Sequence, residues 1–143
     1  MLFVGSGNIC RSPMAAAFFN HLAEQKKLPI HASSAGLYPV LDHATEEAII
    51  VASEYGIDLS HHRSRQLSQA IAQEADLILT MTGEQRRQVE RFYAVAHGKT
   101  FTLREFIGES GDIADPYGQL QAVYRRCAEQ IRAAVERVVE RLE

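Results

Sequence analysis

The stretch that most constrains this chain is its beginning, where a short apolar run leads into a loop of small residues and then into a helix. Leu2-Phe3-Val4 is long enough for one buried strand, and residues 5–8, Gly-Ser-Gly-Asn, tolerate the unusual backbone angles of a tight loop. Ser12-Pro13 is typical of a helix start, with a side-chain cap and proline at the first helical position. This order predicts a cradle of backbone N–H groups for an anion.

Arg11 lies within this stretch and adds a planar guanidinium that suits two oxygens of a phosphate. Gly5-Ser6-Gly7 alone is more often an ordinary tight turn. The preceding strand and the following Cys-Arg-Ser-Pro reverse that interpretation. The opening therefore predicts a binding site for a phosphoryl group.

Apolar runs alternate with helical patterns along the rest of the chain, which predicts a parallel sheet joined by right-handed crossovers. We expect one doubly wound α/β domain, residues 1–143, with a four-stranded parallel sheet and helices on both faces. The predicted strands cover 2–4, 30–33, 75–81 and 101–103, and the predicted helices 13–27, 45–55, 68–73, 83–96 and 119–142. Ligands of such folds bind at the carboxyl ends of the strands, where the opening loop falls.

Composition narrows the function classes. A net charge of −3 argues against a nucleic-acid partner, and no apolar run approaches the roughly 20 residues of a membrane span. No basic leader is visible, so we expect a cytoplasmic protein. Cys10 and Cys127 are too few for a disulfide framework, and the six histidines show no metal-ligand spacing, so no metal is expected.

Residues 4–13, Val-Gly-Ser-Gly-Asn-Ile-Cys-Arg-Ser-Pro, resemble the signature V-C-x-G-N-x-C-R-S-P of the low-molecular-weight protein tyrosine phosphatases. The similarity extends over essentially the whole chain. Four further motifs stand in family order, at residues 33–36, 62–66, 75–81 and 115–117. The resemblance implies a phosphatase-I-like fold, no cofactor, and a phosphorylated protein as substrate.

The resemblance also implies a mechanism. In this family a thiolate at the base of the loop attacks phosphorus, and water then hydrolyses the phosphocysteine. It implies that Arg11 clamps the phosphoryl oxygens and that Asp115 is the general acid. The resemblance implies three further sets of site residues. The phosphate-binding loop would consist of Ser6, Gly7, Asn8, Ile9, Cys10, Arg11 and Ser12, and its shape would be held by Asn8, Ser12, Ser34 and His62. The substrate slot would be lined by Ile9, Leu41 and Tyr117, with Tyr38 as a further candidate.

The nucleophile position is occupied by Gly5, which has no side chain. Neither Ser6 nor Cys10 reproduces the Cys-x5-Arg spacing, so we expect covalent catalysis to be lost, at a cost of several powers of ten in rate. Gly5 is either a deliberate inactivating substitution or the mark of a natural pseudophosphatase that binds phosphate. We favour the former, because a retired enzyme need not keep Arg11, Asp115 and Ser12 together.

Two substrate classes fit the resemblance. Residues 101–105 and 115–118 resemble the bacterial protein arginine phosphatases, but those enzymes carry threonine where Ile9 stands. Isoleucine matches the tyrosine-specific pattern, so we expect phosphotyrosine or another aryl phosphate, with phosphoarginine as the alternative. Arsenate reductase shares the fold but needs further cysteines, which residues 76–90 lack. We expect a monomer.

Overall fold

Four short strands form one parallel sheet in the order β2-β1-β3-β4, and six helices flank it. The computed structural model describes residues 1–143. The strands are β1 Leu2–Gly5, β2 Ser33–Gly36, β3 Ile78–Thr80 and β4 Thr100–Thr102; the helices are α1 Arg11–Gln25, α2 Glu46–Ser53, α3 Gln69–Glu74, α4 Gly83–Phe92, α5 Leu103–Phe106 and α6 Gln121–Leu142, with a 3₁₀ turn at Ala94–Ala96. The predicted α/β fold with a four-stranded parallel sheet is confirmed.

Side chains alternate between the two faces of the sheet and build a core on each. Phe3 of β1 and Leu79 of β3 belong to the larger core, under α1, α2 and α6. Leu2, Val4 and Ile78 belong to the smaller core, on the side of α3 and α4. Because both faces are covered, the continuous apolar run of β3 is the expected pattern for a buried parallel strand. None of the helices is long and apolar enough to cross a lipid bilayer.

β2 lies three residues later than predicted, over the run Ser33-Ser34-Ala35-Gly36 that the sequence pattern indicated to be partly a turn. Its residues pair with β1 in register, from Leu2 with Ser33 to Gly5 with Gly36. A Cβ on Gly36 would stand 2.9 Å from the carbonyl oxygen of Ser6 and 3.1 Å from the amide nitrogen of Asn8. Gly36 is therefore required because the loop between β1 and α1 passes directly over this end of β2.

α1 begins at Arg11, so the prediction that Ser12 caps the helix and Pro13 is its first residue is wrong. The cap residue is Cys10, whose side chain makes no capping hydrogen bond. The Ser12 hydroxyl instead accepts a hydrogen bond from Asn8. The loop turns directly into the helix, so the N–H groups of Arg11 and Ser12 have no partner within α1 and lie at the end of the helix that joins the loop.

The remaining elements differ from prediction mainly at their ends. β3 spans three residues instead of seven, and α4 ends at Phe92. α5 lies partly in the segment predicted as loop, and it begins with a capping box in which Thr102 and Glu105 bind each other's backbone N–H groups. Thr-x-x-Glu was readable in the sequence and would have predicted this helix start.

Candidate active site

Residues 5–12, called the phosphate-binding loop below after the predicted phosphate-binding residues 6–12 that they contain, connect the carboxyl end of β1 to α1 and form the floor of a pocket of about 330 Å³. All eight of its residues line this pocket. Val40 and Leu41 line it from the loop after β2, and Asp115 and Tyr117 from the loop before α6. The structure thus brings the opening loop and the segment that carries Asp115 together at the carboxyl edge of the sheet, as expected for a parallel α/β fold.

Asn8 holds the shape of the phosphate-binding loop. Its backbone has φ of 60°, a left-handed conformation that asparagine tolerates better than most residues. Its side-chain oxygen accepts from the amide of Arg65 at 3.0 Å. Its side-chain nitrogen donates to the hydroxyls of Ser12 and Ser34, both at 2.9 Å. With only 2% of its surface exposed, Asn8 connects the loop to β2 and to the segment after α2.

His62 and Ser64 hold the same residue through its backbone. His62 Nε2 donates to the carbonyl oxygen of Asn8 at 2.6 Å, and the Ser64 hydroxyl donates to the same oxygen at 3.2 Å. Partial burial lowers the pKa of His62 below its ordinary value, against the opposing effect of the Asn8 carbonyl. His62 is therefore neutral near pH 7 and acts as a structural hydrogen-bond donor.

Gly5 lies at the end of β1, beside the first turn of α1. A Cβ built on Gly5 would stand 3.2 Å from Ser12 Oγ and 3.4 Å from Ser12 Cβ, so a side chain fits there with a shift of a few tenths of an ångström. Because Ser12 Oγ accepts from Asn8, the Ser12 hydroxyl proton is left to donate elsewhere, and position 5 is its neighbour. The site therefore keeps a hydroxyl donor next to the position that lacks a side chain.

Arg11 is almost fully buried, with 6% of its surface exposed. Its Nη1 donates to the carbonyl oxygen of Ile113 at 2.7 Å, and its Nη2 lies 3.6 Å from Asp115 Oδ2. The guanidinium has five N–H donors, so further donors are left for an oxyanion on the loop.

Asp115 stands at the mouth of the pocket and is half-exposed. Its Oδ1 accepts from the amide of Tyr117 at 3.1 Å, which closes a local turn. Asp112, the other aspartate of this segment, does not line the pocket and binds the amide of Gly83 instead. Of these two carboxylates, only Asp115 faces the phosphate-binding loop.

The walls above the loop are apolar. The structure places Ile9, Leu41 and Tyr117 along the pocket, together with Val40, which the sequence interpretation missed. Tyr38 is exposed and does not line it. Val40 is mostly exposed in an irregular segment, and no periodic pattern in the sequence distinguishes it from its neighbours.

Cys10 lies on the helix side of the loop. Its sulfur is 3.4 Å from the Tyr124 hydroxyl and 3.5 Å from the Thr45 hydroxyl. Burial raises the pKa of Cys10, although both hydroxyls oppose this effect, and burial raises the pKa of Cys127 to about 12. Both cysteines are therefore protonated thiols near pH 7, and neither is an activated nucleophile.

Gln85 was not predicted to belong to the site, yet its side chain reaches the loop. Its Oε1 accepts from the amides of Met81 and Thr82, and its Nε2 donates to Ser6 Oγ at 3.0 Å. The Thr82-x-x-Gln85 spacing is a capping-box signal that predicts the start of α4, but its contact with Ser6 depends on the fold. No group of three potential metal ligands is present.

Comparison with known proteins identifies relatives that match across the chain. A family model described as "Low molecular weight phosphotyrosine protein phosphatase" matches residues 1–143. A protein-arginine-phosphatase of Geobacillus stearothermophilus is 39% identical over 146 residues, which cover 100% of this chain and 95% of the relative. A probable low molecular weight protein-tyrosine-phosphatase, EpsP of Ralstonia nicotianae, is 36% identical over 143 residues, which cover 99% and 94%.

A solved structure shows the same fold. The low molecular weight protein tyrosine phosphatase of T. tengcongensis superimposes with a TM-score of 0.93 at 38% identity, over 98% of this chain and 97% of that one. The relatives thus include both tyrosine and arginine phosphatases.

Proposed function

Because this chain belongs to the low molecular weight phosphotyrosine protein phosphatase family, we propose that it is a phosphatase scaffold that lacks its nucleophile and still binds phosphate. The Gly5→Cys protein would hydrolyse protein phosphotyrosine and other aryl phosphate monoesters. The chain as it stands is an inactive substitution variant.

The residues of the pocket support a two-step reaction in the Gly5→Cys protein. The thiolate at position 5 attacks phosphorus, the bond from phosphorus to the leaving oxygen breaks, and Asp115 gives that oxygen its proton. Water then attacks the phosphocysteine while Asp115 takes up a proton, and inorganic phosphate leaves with the thiolate restored. Arg11 and the loop N–H groups bind the equatorial oxygens in both steps.

One observation carries this proposal: position 5 has room for a side chain on the pocket floor, and the groups around it are organised for one. The Cβ position is open except for Ser12, whose free hydroxyl proton is placed to stabilise a thiolate. The positive end of α1 lies beneath the same position and lowers the pKa of a thiol there.

Neither neighbouring nucleophile replaces the missing thiolate. Ser6 Oγ accepts from Gln85, and no base contacts it. The Cys10 thiol is protonated and directed toward Tyr124 and Thr45. Without a nucleophile the loop retains its donors and Arg11, so binding of phosphate persists while hydrolysis does not.

The apolar walls support an aryl phosphate as substrate. Ile9, Leu41 and Tyr117 present two aliphatic side chains and one aromatic ring along the pocket, which suits a phenyl ring. The arginine-phosphatase-like motif at 101–105 lies outside the pocket, where Glu105 caps α5 and pairs with Arg86. It therefore carries no weight for substrate choice. Phosphoarginine stays the alternative substrate, because arginine phosphatases are among the relatives.

A phosphorylated protein is the expected partner, and the pocket's open mouth, flanked by exposed Val40 and Tyr117, gives a protein side chain access. Both cysteines are free thiols, which fits a reducing compartment and a cytoplasmic location. We propose a monomer, because one chain by itself supplies the residues that the proposed reaction needs: the loop, Arg11 and Asp115.

The test is turnover of p-nitrophenyl phosphate by the Gly5→Cys protein, with Gly5→Ala as the matched control. The Gly5→Cys protein should turn over substrate at least about a thousandfold faster than either the parent or the control. A folded Gly5→Cys protein no faster than the parent would refute the proposal. The intact Asn8 network also supports the alternative of a natural pseudophosphatase, which selective binding of phosphopeptides by the native gene product would favour.

A further inference from the structure

The segment that carries Asp115 has no regular secondary structure, since it lies between the end of α5 at Phe106 and the start of α6 at Gln121. A loop of this length is held only where individual residues are bonded or buried. Asp115 itself is half-exposed and restrained by its turn with Tyr117 and by Arg11. A bound oxyanion competes for Arg11, so the position of Asp115 in the occupied site depends on residues nearby.

Ile113 is held in place by burial of its side chain and by hydrogen bonds at both its amide and its carbonyl group. Its side chain is fully buried in the larger core. Its amide donates to the carbonyl oxygen of Met81 at 2.9 Å, just beyond the end of β3. Its own carbonyl oxygen accepts from Arg11 Nη1 at 2.7 Å. One residue thus fastens the segment to the sheet, to the core and to the arginine of the phosphate-binding loop.

The neighbouring Asp112 gives a second, weaker tether to the same place. Its Oδ1 accepts from the amide of Gly83 at 2.9 Å, at the positive end of the ten-residue α4. The turn between β3 and α4 is itself joined to the phosphate-binding loop through Gln85 and Ser6. The phosphate-binding loop and the segment that carries Asp115 are therefore both hydrogen-bonded to the start of α4.

We propose that Ile113 is a positioning residue that sets the place of Asp115 opposite Arg11, with Asp112 as its auxiliary tether. This inference rests on the proposed function of Asp115 as the acid that protonates the leaving oxygen. Misplacing that acid matters most for a leaving group that is a strong base, because such a group cannot depart without a proton.

The experiment uses the Gly5→Cys protein as parent and compares kcat/KM on phenyl phosphate with kcat/KM on p-nitrophenyl phosphate, whose leaving oxygen is the weaker base. Ile113→Ala should lower kcat/KM for phenyl phosphate about tenfold or more, and the decrease in kcat/KM for p-nitrophenyl phosphate should be several times smaller. Asp115→Asn should show the same selectivity more strongly. Ile113→Val, which keeps most of the buried volume, should restore the parent's ratio between the substrates.

Ile131→Ala is the matched control, since Ile131 is also fully buried but lies on α6. It should lower the thermal midpoint as Ile113→Ala does and leave the substrate ratio unchanged, which separates positioning from loss of stability. Should Ile113→Ala fail to fold, Asp112→Ala removes a tether without opening a cavity and should shift the ratio in the same direction.

If Ile113→Ala lowers kcat/KM equally for both substrates, or lowers neither, while the Gly5→Cys parent is active, the role of Ile113 is overturned and the proposed function is not. The same holds for a ratio shift of similar size in Ile131→Ala. A folded Gly5→Cys parent without turnover would overturn the proposed function and this inference with it.

Discussion

Asp115 Oδ2 lies 3.6 Å from Arg11 Nη2, so the carboxylate that faces the pocket is paired with the arginine that we propose binds the oxyanion. The two partners differ in burial: Arg11 is 6% exposed and Asp115 is 52% exposed. An ion pair with one exposed partner is weak, because water screens the attraction. It nevertheless occupies the arginine and adds a negative charge at the mouth of the pocket.

Asp115→Asn should therefore tighten the binding of inorganic phosphate to the Gly5 chain by about two- to fivefold, as expected for removal of an exposed competing charge. Calorimetric titration with inorganic phosphate at low ionic strength measures this change in affinity. Asp76→Asn removes the same charge from an exposed aspartate before the amino end of β3, away from the site, and should leave the affinity unchanged. Weaker or unchanged binding by Asp115→Asn would show that the pair does not compete with phosphate.

Asn8→Ala should abolish the order of the phosphate-binding loop. It removes buried hydrogen bonds to Ser12, Ser34 and the Arg65 amide, and it places alanine at a positive φ. We expect the free energy of unfolding to fall by about 2–4 kcal/mol and phosphate affinity by about tenfold or more.

The matched control for this change is Asn20→Ala. Asn20 also bonds a backbone through both ends of its carboxamide, to the amide and carbonyl of Ala32, but it lies on α1 away from the pocket. The Asn20→Ala protein should have a lower free energy of unfolding and an unchanged affinity for phosphate. Denaturant unfolding and calorimetry measure both quantities, and equal losses of affinity in the two variants would contradict a specific role for Asn8.

The stability of the fold should depend on pH through His62. Burial lowers the pKa of His62 in the folded state below its ordinary value of 6.5, so the unfolded chain binds the proton more tightly. Stability is therefore fully present above about pH 6.5 and is lost as the pH falls through the folded-state pKa. Urea unfolding of the parent and of His62→Gln between pH 7.5 and 5 should show a smaller decline in the variant; parallel declines would contradict this role.

Ile9 should decide between the two substrate classes. In the Gly5→Cys background, Ile9→Thr replaces an apolar wall with a hydroxyl that can bond a guanidinium, which should raise turnover of phosphoarginine relative to phosphotyrosine. The two values of kcat/KM measure the change. Leu41→Thr places the same polarity on the other wall and serves as control; an unchanged ratio in Ile9→Thr would remove the argument that Ile9 selects an aryl substrate.

The elements that sequence patterns place well are those whose signal is local. β3 lies inside the predicted strand 75–81, and α6 lies inside the predicted helix 119–142. β2 was misplaced because Gly36 is required by the loop above it, and that contact is not local. Tertiary packing decided the strand against the turn propensity of its residues.

The residues of the candidate site likewise divide into those that a local sequence motif identifies and those that only the folded structure brings into the site. The loop residues and Asp115 were recognisable as motifs, and the structure brings them to one pocket. Ile113 and Gln85 were not recognisable, since they act through backbone contacts and a buried carboxamide that join segments distant in the sequence. Their side-chain types alone indicate only a core residue and a helix cap.

The most direct measurement is the capture of a phosphoryl group at position 5. The Gly5→Cys protein is mixed with p-nitrophenyl phosphate, denatured within the first turnovers, and examined by phosphorus NMR and peptide mapping. We predict a phosphocysteine on the peptide that carries position 5, together with continuing turnover, and neither in the Gly5 parent. Turnover without that adduct, or a folded Gly5→Cys protein that neither turns over nor carries the adduct, would contradict the account.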